Sequence, residues 1–207
     1  MATKRGFTLI ELLVVILIIG VLAGLIVTAV GSVRQRTFVA KAKTNINSLA
    51  VALAAYHTLT GVYPGAGSAL PKDDPVALFA ALYTGNPKCG GSRENHLQDW
   101  PVEQIGRFDG FQEDPDAVYP QARDEDLIFD NRQGLPNLVF LDAWNRPYHY
   151  VEWESRPASQ RQLPGGQLRA KGAAPFAIWS DGQNRRNEWG KGDDVTSWTE
   201  QGSGGGR

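Results

Sequence analysis

The chain has 207 residues, with 21 basic and 22 acidic side chains and a formal net charge of -1. That balance gives no electrostatic reason to bind nucleic acid, and the length suits one small domain joined to one accessory segment. One cysteine, Cys89, cannot close an internal disulfide.

A short basic leader, residues 1–6, runs into an apolar stretch, Phe7–Val30, that holds one ionisable side chain, Glu11. The 24 residues make about 36 Å of helix, enough to cross a hydrocarbon core of about 30 Å. A secretory signal has a shorter apolar region, about 7–15 residues, followed by its cut site; here the small residue that suits a cut, Gly6, lies before it. Lys4 and Arg5 favour a cytoplasmic N-terminus, although Arg34 and Arg36 on the far side reduce the asymmetry. A carboxylate in such a segment costs roughly 2.5–3.5 kcal/mol on insertion scales, so Glu11 needs a partner and a role. Gly20 and Gly24 have the spacing that permits close helix contact.

The helix is expected to continue. Residues 34–57 hold neither Pro nor Gly, and Val39, Ala42, Ile46, Leu49, Leu53 and Tyr56 recur at intervals of three and four, one helical face. Residues 7–30 therefore read as a transmembrane half and 31–57 as an amphipathic half of one helix, with a bend permitted at Gly31-Ser32.

Residues 58–207 read as a small α+β domain. A turn is expected at Gly61–Pro64, then a short helix over Val76–Tyr83 opened by Asp73-Asp74-Pro75. Residues 85–136, rich in Gly, Pro, Asp, Asn, Arg and Gln, are expected to be a loop-rich insertion with little regular structure. Strands are expected at Pro147–Glu154 and Pro175–Ser180, paired as an antiparallel hairpin. Gly202–Arg207 is a Gly-rich tail. The expected fold is α+β, a long N-terminal helix packed on a small antiparallel sheet.

The block Gly6-Phe7-Thr8-Leu9-Ile10-Glu11, with its basic leader, closely resembles the N-terminus of type IV pilins and type II secretion pseudopilins. The resemblance implies that a prepilin peptidase cuts after Gly6 and methylates Phe7, and that Glu11 guides subunits into a helical filament. Opposite charges of Glu11 and a neighbour's N-terminal amine would neutralise one another there. The family usually carries Pro where this chain has Thr28, so loosening of the helix there is not implied.

Three further segments resemble the G-type major pseudopilin of type II secretion: Tyr56–Pro64, Asp142–Tyr150, and Ser180-Asp181-Gly182 with Gly190–Val195 and Ser197-Trp198. The resemblance excludes residues 85–136, where typical members are shorter. It implies calcium in the C-terminal loop. The residues agree with that chemistry, since Ca²⁺ takes six to eight oxygens and Asp181, Asp193 and Asp194 supply carboxylates among glycines. A solvated acidic loop remains the alternative, and Arg185 and Arg186 between the carboxylates oppose a cation.

His57, His96 and His149 fall in no catalytic motif, so no enzyme is expected. The reading is a filament-forming subunit of a type II protein secretion system, single-pass in the bacterial inner membrane with its C-terminal domain periplasmic. Its expected partners are further copies of itself, the prepilin peptidase, the inner-membrane assembly platform, minor pseudopilins and the membrane. The alternatives are a type IV (minor) pilin for adhesion, motility or DNA uptake, and a membrane-tethered binding module using the insertion.

Overall fold

A computed structural model of the chain describes residues 9–66, 73–83, 97, 100–112, 114–127, 137–163, 168 and 174–198, without the side chains of residues 25–32 and 124–125. The processing residues Gly6 and Phe7, Cys89, His96 and the tail lie outside this set. The chain divides into two compact units, residues 1–38 and 39–207.

The first element, α1, is an α-helix over Leu9–Thr60. In the first unit its large apolar side chains are open to the surroundings, from 45% exposed at Val14 to 81% at Leu9. Among the described residues no helix is long and apolar enough to cross a membrane. The described apolar side chains reach only Gly24, short of the about 20 residues that a span requires.

In the second unit α1 is amphipathic as its spacing dictates. Ala42, Ile46, Leu49, Leu53 and Tyr56 are each no more than 2% exposed, while Val39, at the head of the expected stripe, is 37% exposed. The helix ends three residues beyond the expected His57. Gly61, at φ +76, donates its N–H to the His57 carbonyl at 2.8 Å, a left-handed terminus that only glycine adopts without strain.

The second helix, α2, spans Pro75–Tyr83. Asp74 caps it through its carboxylate, which accepts the Ala77 N–H at 3.0 Å. One face packs on aromatic neighbours, with Phe79 4.9 Å from Phe140.

Five strands follow: β1 Ile105–Arg107, β2 Leu138–Phe140, β3 His149–Glu152, β4 Phe176–Ser180 and β5 Val195–Thr196. All pairings are antiparallel, β1 with β2 in one sheet and β3-β4-β5 in another. The expected hairpin is present as β3 and β4, with His149 opposite Trp179 and Glu152 opposite Phe176. Two elements add to the expected ones. Within the loop-rich insertion, the three-residue β1 pairs with β2, Ile105 opposite Phe140. The second sheet also gains β5, whose Val195 pairs with Ser180.

The core is unusually aromatic. Val151, Trp153, Leu163, Leu168, Ala177 and Trp179 form one buried cluster, with Trp189 and Trp198 packed against it.

Leu53 is fully buried and Val51, two residues away, is 71% exposed. Leu53→Ala should therefore cost about 2–5 kcal/mol, and Val51→Ala under about 0.5 kcal/mol. Denaturant unfolding of the two variants checks this; equal losses would mean that α1 presents a different face to the domain.

Candidate metal centre

The loop from β4 to β5, residues 181–194, is the candidate centre. It opens on Asp181, which is 1% exposed. The structure does not bring this residue into the acidic group that the sequence suggests. Its Oδ1 lies 2.7 Å from His149 Nε2, and its Oδ2 accepts from Arg146 Nε at 3.4 Å. With both oxygens engaged by buried cationic groups, Asp181 anchors the start of the loop.

Asp193 and Asp194 do converge, and they are joined by Glu188, a residue that sequence reasoning missed. Ligand atoms of Glu188, Asp193 and Asp194 all lie within 4.8 Å of one another. The turn that achieves this depends on Gly192 at φ +57, since a Cβ there would collide with the Glu188 carboxylate. The backbone holds the carboxylates in place. Asp193 N donates to Glu188 Oε2 at 3.2 Å, and Asp193 Oδ2 accepts from Asn184 N at 2.9 Å. Asp194 Oδ2 accepts from Gly190 N at 2.7 Å and Glu188 N at 3.1 Å.

One feature of the group points beyond a solvated turn. Asp194 Oδ1 is buried with no hydrogen-bond partner, although nearly all buried polar atoms have one. Burial, reinforced by the nearby Asp181 charge, pushes the Asp194 carboxyl up to about 7. Three carboxylates with ligand atoms within 4.8 Å of one another, one with a buried oxygen that has no hydrogen-bond partner, are a donor set that suits a hard divalent cation. The fit to calcium is therefore good, through Glu188, Asp193 and Asp194. A carboxylate five residues before an Asp-Asp pair with a glycine between them was the available signal for Glu188.

Beside the loop sits a buried ion network. His149 is 2% exposed and contacts Asp73 through Nδ1 as well as Asp181 through Nε2. Its ring lies between Phe111 and Trp179, stacked at 4.3 and 4.8 Å. Burial alone would lower its pKa, but the Asp73 charge and the hydrogen bonds to Asp181 and Asp73 carry it up to about 10. Arg146, 3% exposed, donates to the carbonyls of Gln112 at 2.8 Å and Asp114 at 3.3 Å. It also lies 5.1 Å over the Tyr119 ring. Asp142 completes the group. It accepts from Ser180 Oγ and from the Trp144 and Arg146 N–H groups, and burial pushes it up to about 6.

His57, at the end of α1, pairs with Glu154 at 2.9 Å and stacks on Tyr63. Glu11 lies in the first turn of the described α1, exposed among apolar side chains.

A family model for the prokaryotic N-terminal methylation motif matches residues 1–27. The type II secretion system core protein G of Pseudomonas aeruginosa is 34% identical over 104 residues, which cover 50% of this chain and 69% of that relative. The relative is thus the shorter protein. No solved structure matches the chain.

Removing the imidazolium would leave two carboxylates facing one another in the core, so His149→Gln should destabilise the protein by about 3–5 kcal/mol at pH 7. A group whose pKa is raised on folding adds stability below its unfolded value, near 6.5, and loses it as pH rises through about 10. The gap between wild type and variant, measured by denaturant melts across pH, should be widest at or just below about pH 6.5, shrink as pH rises from there, and be smallest above about pH 10. A gap that does not change with pH would mean that His149 is neutral in the fold.

Proposed function

This chain belongs to the family of type II secretion system core protein G, and on that premise we propose how it works as a filament-forming pseudopilin subunit of that system. The carrying observation is the exposed apolar surface of α1. The large apolar side chains from Leu9 to Leu22 stand 45–81% open to their surroundings, and a surface of that kind must be covered by lipid or by other copies of itself. Before assembly, lipid covers it, with the N-terminus at the cytoplasmic face of the inner membrane and the domain in the periplasm. After assembly, the helices of neighbouring subunits cover it. A prepilin peptidase cuts between Gly6 and Phe7 and methylates Phe7. Glu11 then neutralises a neighbour's N-terminal amine and sets the axial register. The assembly platform and minor pseudopilins act on the growing filament, which pushes exported proteins outward. The relationship to a secretion core protein favours this over an adhesive or DNA-uptake pilin and over a tethered binding module.

Calcium is the structural ion in this reading, held by Glu188, Asp193 and Asp194. When bound, it neutralises three clustered carboxylates and ties Glu188 to the segment that leads into β5. Asp193 and Asp194 were expected as ligands; Asp181 acts through His149 and Arg146 in place of the ion.

Mass spectrometry of protein from cells with active prepilin peptidase should find N-methylated Phe7 as the first residue. An intact Met1 would contradict the processing step.

Melting temperature should rise in calcium over chelator. An ion at a hundredfold excess over Kd adds about 2.7 kcal/mol, a shift of roughly 5–11 °C for a domain of this size. Glu188→Gln and Asp193→Asn should abolish the shift. Asp181→Asn should lower the melting temperature in both buffers and keep the shift. If wild type melts identically in both buffers, the loop is a solvated acidic turn.

A further inference from the structure

Two features are left unexplained by a calcium-bound filament subunit: the insertion, and the Arg185-Arg186 pair beside the metal group. The structure brings them together. An open groove of about 590 Å³ lies between Pro115 and Asp116 of the insertion on one side and Arg185, Arg186 and Glu188 on the other, with Trp144 beneath. That volume is in the range of sites that bind ligands. Among the described residues neither guanidinium forms an ion pair.

The backbone around the groove is strained. Asn145, Arg185 and Trp189 are the non-glycine residues of positive φ among those described, at +67, +56 and +60. Arg185 lines the groove, and the other two adjoin its lining residues Trp144 and Glu188. Strain of this kind persists where the surrounding structure fixes the chain, and it gathers at ligand clamps. The groove walls are also fixed from behind, because Arg146 holds the carbonyls of Gln112 and Asp114. Of the acidic lining residues, Glu188 faces Asp193 and Asp194 and Asp116 forms no ion pair with either arginine among the described residues, so the two arginines remain as fork-shaped donors that suit a carboxylate.

We propose that this groove is a carboxylate-binding site that receives the acidic edge of the insertion, Asp109 and Asp114, from a second copy of this chain. Both aspartates are exposed, and the charges are complementary. The contact sets the aspartates of one copy against the arginines of another, two unlike sets of side chains, and such a contact builds open helical filaments when it does not close on itself. The proposal rests on the filament reading, and the insertion then acts as a side contact that supplements packing between the α1 helices.

The test uses the full-length chain in cells that assemble filaments, with sheared filament yield as the readout. Arg185→Glu with Arg186→Glu should lower the yield about tenfold by placing like charges together. Asp109→Arg with Asp114→Arg should do the same, and the four changes combined should restore it. Arg185→Asn with Arg186→Gln is the milder variant, since Asn tolerates positive φ; it should lower the yield with an unchanged melting temperature. Near-wild-type yield from either well-folded arginine variant, or loss without recovery in the combined variant, overturns the groove contact and leaves the filament reading standing. If the wild-type chain forms no filaments, both fall.

Discussion

The domain is organised around a buried imidazolium. His149 on β3 stands between Asp73, just before α2, and Asp181, at the end of β4. Asp181 also holds Arg146, which reaches the insertion backbone at Gln112 and Asp114. One connected set of charges thus joins the α2 entry, the β3-β4-β5 sheet, the insertion and the β4-β5 loop. Burying charge is costly unless it is paired and hydrogen-bonded. Here two cationic groups face Asp73 and Asp181, and carbonyls and aromatic faces take up the remaining donor capacity. Such a network allows little freedom of arrangement, because displacing one member strands its partner.

The loop from β4 to β5 inherits its position from this network. Asp181 fixes where the loop leaves β4, and the β4-β5 pairing at Ser180 and Val195 fixes where it returns. Between these two points the chain turns so that Glu188, Asp193 and Asp194 crowd together. The protein fixes carboxylates in an arrangement that is unfavourable alone, as the unpartnered Oδ1 of Asp194 shows. In the proposed reading a bound cation would relieve that arrangement, and ion binding and the closure of the loop would then be one thermodynamic event.

Local patterns and the β3-β4 hairpin were legible in the sequence, whereas the pairing of β1 with β2 and the side-chain contacts across the fold were not. The buried face of α1 follows from apolar spacing alone, and the Asp74 cap follows from an acidic residue before Pro75. The strands β3 and β4 were visible as runs of aromatic and branched residues. In contrast, β1 and β2 are three residues each, too short for any period, and they pair across more than thirty positions. Asp181 read as a ligand because Gly182 follows it and two aspartates lie near in sequence. Its true partner, His149, is 32 residues away, and nothing local announces that contact. Glu188 was hidden for a related reason, since Gly192, not a recognisable motif, brings it to Asp193.

The N-terminal helix is the opposite case, a surface that the chain's own fold does not cover. In the proposed filament, neighbouring copies would cover its apolar side chains and bring an N-terminal amine to the carboxylate of Glu11. The most direct measurement is filament formation by Glu11→Val, with sheared fractions viewed by electron microscopy and membrane fractions assayed for the subunit. The account predicts full membrane insertion, because the costly carboxylate is gone, and no filaments, because the neighbour's amine has lost its partner. Filaments of normal length and number from this variant would contradict it.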